Sequence, residues 1–122
     1  STSYNEENIE LVIKCFEKIA IFINTSKNKE QLKRWFDNRM LYVVVTSAVS
    51  GYFNPINKES YREKRRKFVT YLEKPIVKEA LKTKNMVGIG LQRRTILFFV
   101  NHRMYLMLDL MGKLRRWQKM HR

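Results

Sequence analysis

One stretch constrains the fold more than any other: Leu91 to Trp117, LQRRTILFFVNHRMYLMLDLMGKLRRW. It gathers Ile96 to Val100 into one apolar run and Met104 to Leu108 into a second, with Arg93 and Arg94 before them and Arg115 and Arg116 after. Read as one helix at 100° per residue, Leu106, Phe99, Leu110, Ile96, Leu114, Met107, Val100, Met111, Met104, Leu97 and Leu108 spread over an arc of roughly 200°. A helix lying on one core needs an arc only a little above about 100°. The stretch therefore predicts a long helix with two apolar contacts, the domain core and something else. Its remaining arc holds Arg94, Asn101, His102, Asp109, Lys113 and Arg116, but also Phe98 and Tyr105, one heptad apart. Arg103 falls near the middle of the apolar arc, where a pure core helix avoids charge. It must snorkel, pair with a buried acid or meet a phosphate.

A membrane span does not fit. The run from Thr95 to Leu114 has roughly the 20 residues a span needs. Its centre is cut by Asn101, His102 and Arg103, and a central arginine alone costs about 2.5–3.5 kcal/mol on insertion scales. Asp109 adds a similar penalty. An interfacial helix fits better, with its apolar face at the acyl boundary and basic flanks on lipid phosphates. A central core helix and a dimer contact remain as alternatives.

Charge sharpens the choice of partner. The chain has 122 residues and a formal net charge of +14, with 44% apolar and 30% charged residues. That composition suits one folded domain with a single core. Residues 1–57 are nearly neutral at +1, residues 58–92 carry +6 and residues 93–122 carry +7. A positive field confined to the second half points to an anionic partner, either a membrane surface or a nucleic acid. For nucleic acid there is no zinc-finger spacing, RNP-like motif or basic-zipper heptad, and the aromatics sit in apolar stripes.

The rest of the chain reads as helix. Asn5, Glu6 and Glu7 suit a helix start, and Ile9, Val12, Ile13, Phe16, Ile19, Ala20 and Ile23 follow at helical steps. After a polar break, Asn28 or Ser26 can cap a second helix, with Gln31 placed for a capping box. Leu32, Trp35, Phe36, Met40, Val43, Val44 and Ala48 carry its inward face. Val43 to Thr46 has strand propensity, but the helical period holds on both sides. Gly51, Asn54 and Pro55 should end the segment. Asn57 is expected to cap a third helix, with Tyr61, Phe68, Val69 and Leu72 inward and Arg62, Lys64, Arg65, Arg66 and Lys67 on a solvated or anion-contacting outer face. Pro75 suits the first turn of a short fourth helix bearing Ile76, Val77, Ala80 and Leu81, and Asn85 to Gly90 is a loop. The expected fold is all-α, about five helices in a compact bundle.

Catalytic and metal chemistry find no foothold. The only aspartates, Asp37 and Asp109, form no D-x-D pair, and Gly88 and Gly90 lack the third glycine of a dinucleotide loop. His102 and His121 have no cysteine or acid at metal-ligand spacing. Cys15 cannot form an internal disulfide, fits a reducing compartment, and reads as a small buried hydrophobe. No nucleophile, base and orienter can be assembled, and no cofactor is expected. The first ten residues are polar and acidic, unlike a signal peptide. Starting at Ser1, the chain is expected to be a processed or tagged form or part of a longer one.

The run Leu72 to Lys82, with its Pro-x-Val-x-x-Ala-Leu core, is followed by a short loop, a basic helix start and LFF-x(4)-MYLMLDLMGKLR. In that order these features resemble the C-terminal helical region of bacterial family-2 glycosyltransferases, which build capsular, exo- and lipopolysaccharide sugars. The resemblance spans roughly Ile9 to Arg116 and rests mainly on helical apolar patterns. It implies a non-catalytic accessory domain, C-terminal to a nucleotide-sugar-binding domain, peripheral to the cytoplasmic face of the inner membrane. Its implied partners are the anionic surface or a lipid-phosphate acceptor, and its own upstream catalytic domain; a homodimer is a further option. Residues expected at the contact are Arg93, Arg94, Phe98, Arg103, Tyr105, Lys113, Arg115 and Arg116, joined by Arg65 and Arg66. The family's metal and base residues have no counterpart here.

Overall fold

The computed structural model describes residues 6–83 and 88–120, without the side chains of Glu6, Arg115, Lys119 and Met120. Asn5, Asn85 and His121 lie outside the described residues. The fold is all-α, as its periodicity predicts. Six α-helices follow in order: α1 (Glu6–Asn24), α2 (Lys29–Thr46), α3 (Tyr61–Leu72), α4 (Pro75–Lys82), α5 (Leu91–Asn101) and α6 (Tyr105–Met120). A π-helical stretch, Ser47–Tyr52, prolongs α2. That segment is the hub, touching α1, α3, α4, α5 and α6 between its two parts.

Inward faces are mostly those set by helical spacing. Ile9, Ile13 and Ile23 are buried on α1, and Phe36, Met40, Val44 and Ala48 along α2 and the π turn. Phe68, Tyr71, Tyr52 and Phe53 meet as an aromatic cluster with centroids 5.3–6.0 Å apart. Three expected core residues are instead exposed: Val12, Trp35 and Cys15. Val12 and Cys15 lie at the edge and outer side of α1's stripe.

Termini differ in detail. Asn28 precedes α2 as expected but makes no side-chain cap bond; its amide donates to Ser26 Oγ at 3.3 Å, and no Gln31 capping box forms. Helix α3 is capped by Ser60, whose Oγ accepts from the Glu63 amide at 3.2 Å. Asn57 is buried upstream, donating to the Tyr52 carbonyl at 3.1 Å and accepting from the Glu59 amide at 3.1 Å. Gly51 does not stop α2. Helix continues through Tyr52 as the π-helical stretch, and Gly51 serves packing instead: a Cβ there would lie 2.9 Å from Ile9 Cδ1, so glycine lets α1 close on it.

The largest departure is in the opening stretch. It is two helices, not one. Arg103 adopts φ 57°, the Met104 amide donates to the Phe99 carbonyl at 2.8 Å, and the Arg103 amide to Val100 at 3.3 Å. This pair of bonds is a Schellman motif with arginine where glycine is usual. The physical reason lies in phase. Ile96, Leu97 and Val100 are buried on α5, and Tyr105, Leu108 and Asp109 on α6. Carried through one straight helix, the two buried faces would point roughly 120° apart. Turning at 102–104 lets both meet one core.

Candidate functional site

Once the break resets the phase, α6 is a helix with two opposed apolar faces. Tyr105, Leu108, Asp109 and Gly112 face the core. Gly112 sits so close that a Cβ would lie 2.7 Å from the Phe53 carbonyl oxygen. On the opposite side Leu106, Leu110, Leu114 and Trp117, at steps of four, four and three, each leave about half their surface exposed (49–58%). Met107 adjoins them, and Met104 is exposed just before the helix starts. At 100° per residue the stripe occupies an arc of about 100°, roughly opposite the buried face.

Basic groups border this stripe. Lys113 stands at its edge, 63% exposed, and pairs with Asp109 at 3.2 Å. Arg103 is exposed at the corner before α6. Arg116 lies further toward the core side, its Nη1 donating to the Pro55 carbonyl at 3.4 Å. The Arg115 side chain lies outside the described residues.

The other expected contact residues do not gather here as a group. Arg93 stacks over Tyr42 on α2, 4.8 Å from the ring centroid. The Arg94 Nε donates to the Ile89 carbonyl at 2.9 Å. Phe98 is exposed on α5, its ring 4.3 Å from His102 at the corner. Arg66 is paired with Glu63 one turn earlier on α3. That guanidinium holds the Glu63 carboxyl below its usual range.

Tyr105 corrects the expectation outright. It is buried, edge-on to Phe68 at 5.7 Å, with the Arg65 guanidinium 5.9 Å from its ring centroid. Burial pushes its phenol upward while Arg103 and Arg65 pull it down. Its assignment to the outward arc followed from treating 91–117 as one helix. The same error hid Leu106, Leu110, Leu114 and Trp117 as the outward set, although their spacing was readable.

Lys64 is the second correction. Placed by composition on the outer face of α3, it is buried against Asp109 of α6 at 3.6 Å, with side chains 5% and 4% exposed. Lys64, Phe68 and Tyr71 are spaced four and three apart, so they share α3's inward face. Asp109, the buried acid of α6, pairs with both Lys64 and Lys113.

Among the described residues, no helix is long and apolar enough to cross a membrane, and no three His, Cys, Asp or Glu side chains gather as metal ligands would. Comparison with protein-family models, curated proteins and solved structures finds no match.

Proposed function

We propose that this chain docks peripherally on an anionic membrane surface through the outer stripe of α6. The observation that supports this is a set of large apolar side chains turned away from the core on a helix in the most basic part of the chain. Seating each half-exposed leucine at the acyl boundary contributes about 1 kcal/mol by area. Each lysine or arginine near an anionic surface adds about 1 kcal/mol. Trp117, near the basic end, suits the headgroup level.

Charge separates this reading from a dimer. A second copy laid on the stripe would bring another +14 chain, with its own Lys113 and Arg103, against the first. An anionic bilayer supplies the opposite sign. Nucleic acid would satisfy the charge but leave a leucine stripe in water.

The wider setting rests on the resemblance alone. As a C-terminal accessory region of a family-2 glycosyltransferase, the domain would hold a catalytic domain beside lipid-linked acceptors at the cytoplasmic face.

Co-sedimentation with phosphatidylcholine vesicles, with and without phosphatidylglycerol, tests the docking. Binding is expected only to the anionic vesicles, weakened by salt, and reduced about tenfold or more by Leu110→Glu with Leu114→Glu. Equal binding to neutral vesicles, or full binding by the double variant, would overturn it. Light scattering that showed stripe-dependent dimers would favour self-association instead.

A further inference from the structure

We propose that the cleft between α1 and the junction of α2 with the π turn binds a small uncharged amphiphile: an alkyl chain ending in a hydroxyl or amide. This site is separate from the α6 stripe and goes beyond membrane docking. The cleft has a volume of about 360 Å³, within the lower range of small-molecule sites.

The lining chooses the ligand chemistry. Ile9 and Val12 of α1 and Val43 of α2 form apolar walls. Asn8, Thr46, Ser47 and Ser50 supply neutral hydrogen-bonding groups. Every described lining residue is uncharged, although 30% of the chain is charged; the Arg93 guanidinium lies over the Tyr42 ring but is not itself part of the lining. A carboxylate or ammonium entering here would shed water without gaining a counter-ion from the described lining. A neutral chain with one polar end would lose little and satisfy the lining.

Two further features converge on the same place. Ser47, Ser50 and Gly51 come from the π-helical turn, whose wide i→i+5 bonding is seen from the Phe53 amide to the Ala48 carbonyl at 2.9 Å. Such turns are rare and recur at functional sites. The Tyr71 hydroxyl is buried with no hydrogen-bond partner among the described residues. The Ser47 hydroxyl interacts with that phenol and draws its pKa down against the effect of burial. Ser47, itself buried, thus both lines the cleft and interacts with the buried phenol, and a ligand hydroxyl would extend that polar line.

The test uses the whole chain and the neutral dye N-phenyl-1-naphthylamine. Saturable fluorescence enhancement is expected, with 1-octanol displacing the dye at about tenfold lower concentration than octanoate. Thr46→Trp should fill the cleft from an exposed position and weaken dye binding about tenfold. Ser50→Trp, also at an exposed position, should do the same if Thr46→Trp does not fold by circular dichroism. The Leu110→Glu/Leu114→Glu variant should keep dye binding while losing vesicle binding. Wild-type dye affinity in the tryptophan variants, stronger displacement by octanoate, or loss of dye binding in the α6 variant would each overturn the site. None of these outcomes depends on membrane docking.

Discussion

Helices α3 and α6 invert one another. Helix α3 carries Arg62, Lys64, Arg65, Arg66 and Lys67, yet buries Lys64. Helix α6 is rich in leucine and methionine, yet turns Leu106, Leu110 and Leu114 outward. The two are joined where each breaks its own composition, at the buried Lys64–Asp109 pair. The difference teaches that helical phase, not residue type, decides which side chain faces the core. It also separates two kinds of anomaly. The buried lysine is satisfied within the fold. The exposed leucines pack on no core face, and the proposed membrane surface would cover them.

The comparison can be broken most directly at its joint. Asp109→Asn leaves Lys64 buried beside a neutral amide and should lower stability by about 3–5 kcal/mol in urea unfolding. Replacing both partners, Lys64→Met with Asp109→Leu, should restore stability to within about 1 kcal/mol of wild type. Failure of the double replacement would mean the pair does more than neutralise itself.

Helix α3 also supplies a pH test. Burial pushes the Tyr71 phenol up to about 12, against an unfolded value near 10. Between those values the unfolded chain gives up the proton and the folded one keeps it. Stability is therefore intact below about pH 10 and falls as pH rises toward 12, by roughly 2–3 kcal/mol in all. Tyr71→Phe should remove that alkaline loss and, by deleting a buried hydroxyl with no hydrogen-bond partner among the described residues, stabilise the protein at neutral pH by about 1 kcal/mol. Thermal melts across the pH series read both effects.

Smaller effects sharpen the account of α6. Gly112→Ala drives a methyl into the Phe53 carbonyl, a backbone atom that cannot swing aside, and should cost about 1–3 kcal/mol. Arg103→Gly relieves a left-handed residue and should stabilise by about 0.5–1 kcal/mol. The same change should weaken anionic-vesicle binding by about 1 kcal/mol. Leu110→Glu with Leu114→Glu should shift stability by less than about 0.5 kcal/mol per site, because neither side chain packs on the core.

Much of this fold could be read from apolar spacing. Ile9 to Ile23, Phe36 to Ala48 and Pro75 to Ala80 fall where period and turn chemistry place them. The helix break could not. Residues 101–104 contain neither glycine nor proline, and Arg103 occupies a backbone conformation that arginine seldom takes. Only the tertiary demand that two faces meet one core forces the turn. The breadth of the apolar arc, read as a sign of two contacts on one helix, comes partly from superposing two helices of different phase. The outward stripe persists within α6 alone, on Leu106, Leu110, Leu114 and Trp117, whereas Tyr105 drops out. Lys64 was legible in principle, since it shares the period of Phe68 and Tyr71; the run of basic neighbours masked it.

The most direct test of the outward face uses Trp117 as its own probe. The chain has two tryptophans, Trp35 and Trp117, both exposed, so Trp35→Phe leaves one reporter on the stripe. Docking predicts that phosphatidylglycerol vesicles shift Trp117 emission to the blue and that brominated acyl chains quench it, with neither effect from neutral vesicles. Emission that stays water-like with anionic vesicles, or shifts equally with neutral ones, would contradict the account.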